Sequence, residues 1–150
     1  MSIKLEDWTA IASLGLSIMF VALLLSYYNF LIGPEGEGPE RVVDPGSLMI
    51  QIIFISAAPS LALAGFAFGL GKSFGAKLGG IAVVAAGIIM IAGMIASLQM
   101  LSQIADQYVV GIVGVVPYFF MAAGTGVVIV GGLLLAALKK RRISNLDDLR

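Results

Sequence analysis

Four long apolar runs, separated by short polar segments, dominate the chain of 150 residues. None of the runs contains Asp, Glu, Lys or Arg. Each is near or above the ~20 residues that a helix needs to cross a hydrocarbon core about 30 Å thick. A helix also satisfies its own backbone hydrogen bonds, as a segment in lipid must. The runs therefore predict four transmembrane helices, over residues 9–32, 47–70, 78–101 and 113–138.

The first connection, GPEGEGPERVVDPG at residues 33–46, contrasts with the apolar runs on either side of it. Its prolines and glycines interrupt helices and favour turns. Its acidic side chains keep it in water, so we interpret it as a solvated linker. The alternative is a site for Ca²⁺ or another hard cation, because such ions prefer oxygen ligands. The acidic residues in question are Glu35, Glu37, Glu40 and Asp44.

The positions of lysine and arginine predict the orientation of the helices. Basic residues in short loops favour the cytoplasmic side, and they occur at Lys72, at Lys77 and in the run Lys139, Lys140, Arg141 and Arg142. Both termini are therefore predicted to be cytoplasmic, with 33–46 facing outward from the cell membrane. The four consecutive basic residues are expected to anchor the tail, 139–150, to anionic lipid headgroups.

Composition supports a membrane protein and excludes several chemistries. The chain is 59% hydrophobic and 12% charged, against roughly 25% charged in soluble domains. It contains neither cysteine nor histidine, the usual ligands of zinc, haem and iron–sulfur clusters. Nine basic residues balance nine acidic ones, so charge gives no reason to expect nucleic acid. We predict a single all-α domain, a compact bundle of four transmembrane helices, with no cofactor or metal site.

Two prolines and three aromatic residues predict local features of the spans. Pro59 removes the hydrogen bond that the Ile55 carbonyl would accept, so a kink is expected there, with Ser56 and Ser60 satisfying the freed groups. Pro117 is expected in the first turn of the fourth helix, where proline is tolerated. Trp8 and the pair Tyr27 and Tyr28 lie at opposite ends of the first run, as interfacial aromatic belts do.

The polar residues near the spans are few. Gln99, Gln103 and Asp106 follow an i, i+4, i+7 pattern, which predicts one helical face that contacts a partner or lines a vestibule. The alternative is a helix end that emerges into the interface. Three further residues are expected to form interhelical hydrogen bonds; they are Gln51, Ser97 and Thr125.

Pairs of small residues four positions apart recur along the spans and predict close helix packing. They leave open whether the packing lies within the chain or against another subunit. The pairs are Ala58 and Ala62, Gly65 and Gly69, Gly75 and Gly79, Ala82 and Ala86, and Ala122 and Gly126.

The inventory of side chains favours a non-catalytic role. Ion-coupled transport commonly needs a titrating group in the membrane, and catalysis needs a nucleophile with a base or a metal; the four runs supply neither. The leading hypothesis is a subunit that packs against other integral membrane subunits of a larger complex, such as a respiratory or monooxygenase-type enzyme. The alternative is a small channel or carrier for a neutral or weakly polar solute, acting alone or as a homo-oligomer.

Overall fold

A computed structural model of the chain describes residues 5–39, 43–74 and 77–147. Within these ranges every regular element is a helix. Short 3₁₀ helices occupy Pro34–Gly36 and Asp106–Tyr108 in the loops. The α-helices are α1 (Leu5–Ile32), α2 (Pro45–Ile52), α3 (Ala58–Phe74), α4 (Lys77–Leu101) and α5 (Gly111–Asp147).

Among the described residues, four helices are long and apolar enough to cross a membrane, as the sequence predicts. α2 and α3 together form the second of them, because the π-helical segment Ile53–Ala57 joins them without a break. α5 continues past the predicted span as far as Asp147, so the backbone of 139–147 is helical and extends the fourth helix. Four such helices indicate an integral membrane protein.

The helices pack in the order α3, α1, α4 and α5, which leaves an open seam between α3 and α5. α1 lies between α3 and α4, and α4 packs along α5, whereas α3 and α5 make only limited contact. The loops that contain Asp44 and Asp106 lie at one end of the bundle, which we call the Asp44 end. At the opposite end, the Asp7 carboxylate of α1 accepts a hydrogen bond from the backbone N–H of Gly79, at 2.9 Å. Gly79 is in the first turn of α4, where N–H groups lack helical acceptors and a negative charge is favourable.

Side-chain size divides the core into two parts. Towards the Asp44 end the buried cluster is built from large side chains, including Phe20, Leu24 and Met90. The rings of Phe20 and Phe120 lie 4.6 Å apart there. In the other half the buried cluster consists of alanines and two valines. Alanine allows helix backbones to approach more closely, and close approach is the main source of contact energy between helices in lipid.

Glycines bring α4 and α5 into direct backbone contact. Gly80 faces Gly131, and Gly87 faces Gly124. A Cβ atom added to Gly87 would lie 2.7 Å from the Gly124 carbonyl oxygen, and one added to Gly131 would lie 2.8 Å from the Val84 backbone nitrogen. The two glycines on each helix are seven residues apart, close to two helical turns, so both lie on the same face. This glycine contact fixes how α4 and α5 pack.

Pro117 lies inside α5, six residues after the helix begins at Gly111, so its predicted place in the first turn is wrong. Proline has no N–H group, and the carbonyl four residues earlier, that of Val113, therefore loses its helical donor. The Tyr28 hydroxyl of α1 donates to this carbonyl at 2.5 Å. A side chain from the first span thus satisfies the backbone group that proline leaves free in the fourth.

The predicted aromatic belt is wrong at the C-terminal end of α1. Tyr27 and Tyr28 are buried between helices, and the Tyr27 hydroxyl donates to the Pro45 carbonyl at 2.8 Å. Both phenols therefore bond to the backbone of other spans and do not face lipid headgroups. Trp8, at the other end of α1, is exposed as an interfacial residue would be.

Candidate functional site

Gln99, Gln103 and Asp106 are all exposed at the Asp44 end, but they do not share a helical face. α4 ends at Leu101 and the chain then turns, so the predicted spacing along one helix is wrong. The Ser102 hydroxyl and the Gln103 amide donate to the Gln99 carbonyl, at 2.8 and 3.4 Å. These bonds cap carbonyls at the helix end. A role in contacting a partner or lining a vestibule stays a prediction.

Pro59 follows a π-helical segment. At the end of this segment the Ala58 N–H donates to the Ile53 carbonyl, five residues back. Such a local change of winding accommodates a proline whose ring and missing N–H disturb the α-helical pattern. The Ser56 hydroxyl donates to the Ile52 carbonyl at 2.7 Å, within the same span. The irregularity therefore lies where a kink was predicted and takes the form of a wider turn.

Ser60 bonds to another helix instead of the freed groups of its own. Its hydroxyl lies 2.9 Å from the Ser13 carbonyl and 2.7 Å from the Ser17 hydroxyl, while the Ser13 hydroxyl donates to the Ser60 carbonyl at 2.8 Å. All three serines are buried. Every hydroxyl of this serine cluster thus has a partner, and the cluster joins α1 to α3 through uncharged hydrogen bonds. The sequence did not identify Ser13 and Ser17 as interhelical residues, because a serine in a span commonly bonds to the carbonyl four residues back in its own helix.

The three residues predicted to form interhelical hydrogen bonds do not form such bonds with other described residues. The Ser97 hydroxyl donates to the Met94 carbonyl and the Thr125 hydroxyl to the Met121 carbonyl, both at 2.9 Å and within their own helices. Gln51 is exposed on α2, and its amide makes no hydrogen bond to another described residue. Gln51 lies six residues into the span, about 9 Å along the helix axis from Pro45.

Asp44 caps α2. Its carboxylate accepts hydrogen bonds from the backbone N–H of Gly46 at 3.1 Å, and from the Ser47 hydroxyl at 2.5 Å. The Ser47 hydroxyl, followed by the Ser47 and Gly46 N–H groups, lowers the pKa of this carboxyl, so Asp44 is negatively charged at neutral pH. In the described part of the chain, no three acidic side chains lie close enough together to hold a metal ion. Glu40 and the Glu35 side chain lie outside the described residues.

The basic run predicted to anchor the tail is on α5. The helix backbone passes through Lys139, Lys140, Arg141 and Arg142, and their side chains lie outside the described part of the chain. Their contact with lipid headgroups stays a prediction.

The small-residue pairs on the described spans fall into two groups; Gly75, predicted to pair with Gly79, lies outside the described residues. Ala82 and Ala86 are buried in the core, whereas a Cβ added to Gly65, Gly69 or Gly126 would meet nothing within 4 Å. Ala58 and Ala62 are exposed on the same helix as Gly65. Ala58, Ala62 and Gly65 form an exposed small-residue face on α3, which nothing in the described chain covers.

The seam between the second and fourth spans contains two depressions. The Gly65 groove, of about 290 Å³, lies between α3 and α5. The Ile53 cavity, of about 410 Å³, lies beside the π segment, nearer the Asp44 end. The groove is lined by Leu61, Ala64, Gly65, Phe68, Ala123, Gly126, Val127 and Val130, and the cavity by Ile53, Gly111, Ile112, Val115, Val116, Phe119 and Phe120.

The groove and the cavity both open at the outer surface of the bundle. The buried polar side chains of the described residues are serines and tyrosines with hydrogen-bond partners inside the bundle. Comparison with family models, curated proteins and solved structures finds no match to this chain.

Proposed function

We propose that the chain is a non-catalytic subunit that packs against other integral membrane subunits and stabilises their complex. The observation that carries this proposal is the small-residue face of Ala58, Ala62 and Gly65, which is open although equivalent residues on α4 and α5 are in backbone contact. Small residues on a lipid-facing helix favour close approach of a second helix. The occupant we propose is a transmembrane helix of a partner subunit.

Gln51 supports a protein partner over lipid alone. Lipid chains offer no hydrogen-bonding group, so an amide that faces them bears a cost that a polar side chain of a neighbouring helix removes. Such interhelical bonds contribute roughly 0.6–2 kcal/mol. The partner helix therefore carries a polar side chain at the depth of Gln51, which lies on the same span as the small-residue face.

The hydrogen bonds of the buried polar side chains favour an accessory subunit over a channel made of one chain. A water path needs polar groups that are free to face it, whereas the serine cluster is bonded within itself. Tyr28 is likewise bonded to Val113. The alternative that a homo-oligomer forms a pathway between its subunits is an outcome of the experiment below.

Replacing Gly65 by Leu tests the proposed interface. We expect the variant to reduce co-purification of partner subunits after mild detergent extraction by at least about tenfold, equivalent to about 1.4 kcal/mol, because the added side chain keeps a partner helix away. Folding of the chain itself should be unchanged, since a Cβ atom added to Gly65 would meet nothing within 4 Å. The native mass of the extracted complex is the measurement.

Gly15→Leu is the matched control, because Gly15 is also open but lies on α1. It should leave the complex intact. Equal loss from both variants would contradict a specific interface on α3. A wild-type chain that extracts only with copies of itself, and conducts a solute after reconstitution, would contradict the accessory role and support a channel.

We also propose that both termini face the cytoplasm and that 33–46 faces outward from the cell membrane. The lysines and arginines of the second connection and the tail support this orientation. The chain has no cysteine, so Glu37→Cys and Ser144→Cys introduce single thiols. A membrane-impermeant thiol reagent applied to intact cells should label Glu37→Cys and spare Ser144→Cys. The opposite pattern would reverse the orientation.

A further inference from the structure

The Ile53 cavity differs from the Gly65 groove in its shape and lining. Val115 and Phe119 are 60% and 61% exposed, so the cavity opens towards lipid. Its walls are branched and aromatic side chains, with Gly111 as the one small residue. Such walls keep a helix backbone at a distance, but a chain of methylene groups fits between them. Its volume of about 410 Å³ is within the usual range for pockets that hold small molecules.

The length of the cavity corresponds to one leaflet. Its α5 lining runs from Gly111 to Phe120, about 14 Å along the helix axis. The hydrocarbon core is about 30 Å thick, so this length matches the acyl chain of a lipid on one side of the membrane.

One end of the cavity lies near a carboxylate. A Cβ atom built on Gly46 would be 3.9 Å from the Ile112 side chain and 3.5 Å from the Asp44 Oδ1 atom. Ile112 lines the cavity and Asp44 does not, so the carboxylate lies just beyond the end of the cavity at Ile112. The charge at this end is negative, since residues 33–46 and 102–110 together contain five acidic residues and one arginine, Arg41. Arg41 lies outside the described residues.

We propose that the Ile53 cavity binds one acyl chain of a phospholipid whose headgroup carries a primary amine, with the ammonium group beside Asp44. The hydrophobic lining holds the chain, and the carboxylate selects a headgroup with an exposed positive charge over an anionic one. Asp44 retains acceptor capacity for an ammonium, since a carboxylate has about four lone-pair sites. This site is separate from the small-residue face, so it does not depend on the proposed assembly.

The test uses the purified full chain in nanodiscs of equal parts phosphatidylethanolamine and phosphatidylglycerol with the same acyl chains. The lipids that stay bound on release from the nanodisc are identified by native mass spectrometry. We expect the wild-type chain to retain about one phosphatidylethanolamine. Val115→Trp fills the opening and should abolish this retention. Ile129→Trp, at an exposed position of α5 that does not line the cavity, should retain it.

Asp44→Asn tests the headgroup contact separately. Asparagine caps a helix as well as aspartate does, so α2 should stay folded while the charge is lost. An exposed ion pair is worth little, so the preference for phosphatidylethanolamine should fall by roughly two- to fivefold, with total bound lipid unchanged. Equal retention of both lipids by the wild type would overturn the proposal, as would unchanged retention in Val115→Trp. Loss of co-purified subunits from Val115→Trp, with bound lipid unchanged, would show that a protein helix occupies the cavity.

Discussion

Tyr28→Phe is expected to lower the free energy of unfolding by about 1–3 kcal/mol, the cost of leaving a buried polar group without a partner. The variant removes only the hydroxyl that donates to the Val113 carbonyl. Pro117 prevents α5 from supplying a donor of its own. The measurement is equilibrium unfolding in mixed detergent micelles, followed by circular dichroism.

A double-mutant cycle with Pro117→Ala tests the mechanism. Alanine restores the backbone N–H that can donate to the Val113 carbonyl, so Tyr28→Phe should cost less than about 1 kcal/mol in that background. Tyr27→Phe is the matched control, because the Tyr27 hydroxyl bonds to the carbonyl of Pro45, not to Val113. Equal costs of Tyr28→Phe with and without Pro117 would show that the hydroxyl does not replace the missing helical donor.

Gly131→Ala is expected to destabilise the fold by about 1–3 kcal/mol through overpacking. The new methyl group would lie 2.6 Å from the Val84 Cγ2 atom and 2.8 Å from the Val84 backbone nitrogen. A backbone atom cannot move aside as a flexible side chain can, so α4 and α5 must separate. The same unfolding assay measures the effect.

Gly132→Ala is its control, one residue further along the same helix and open to its surroundings. Alanine is the better helix former, so this variant should be neutral or more stable by up to about 1 kcal/mol. If both variants behaved alike, the close contact between α4 and α5 would not be decisive for stability.

The sequence predicted the spans well, because length and the absence of charge are sufficient to recognise a membrane helix. It did not predict which face of each helix is buried. Gly131 and Gly132 are adjacent and chemically identical, yet only Gly131 contacts α4. In lipid both the interior and the exterior of a bundle are apolar, so the hydrophobic pattern that orients helices in soluble proteins is weak here.

The candidate sites show the same limit. Gln99, Gln103 and Asp106 matched a helical spacing, but the helix ended at Leu101, and no glycine or proline marks that end in the sequence. Tyr28 is a tyrosine at the end of a span, which is typical of an interfacial residue. Its actual partner is a carbonyl 85 residues away, and such a pairing requires knowledge of how the spans are arranged. The open surface of α3 and the Ile53 cavity likewise arise from the arrangement of helices, not from a motif.

The distances along the chain between bonded groups imply an order of biogenesis. Ser13 and Ser60 are 47 residues apart, so the contact between the first two spans can close while the rest of the chain is still being synthesised. The Tyr28 bond, by contrast, waits for the fourth span. That span enters the membrane with a carbonyl that its own helix cannot satisfy, and the phenol of the first span supplies the missing donor. The fourth span is therefore recognised by the first, which couples insertion of the fourth span to closure of the contact between them.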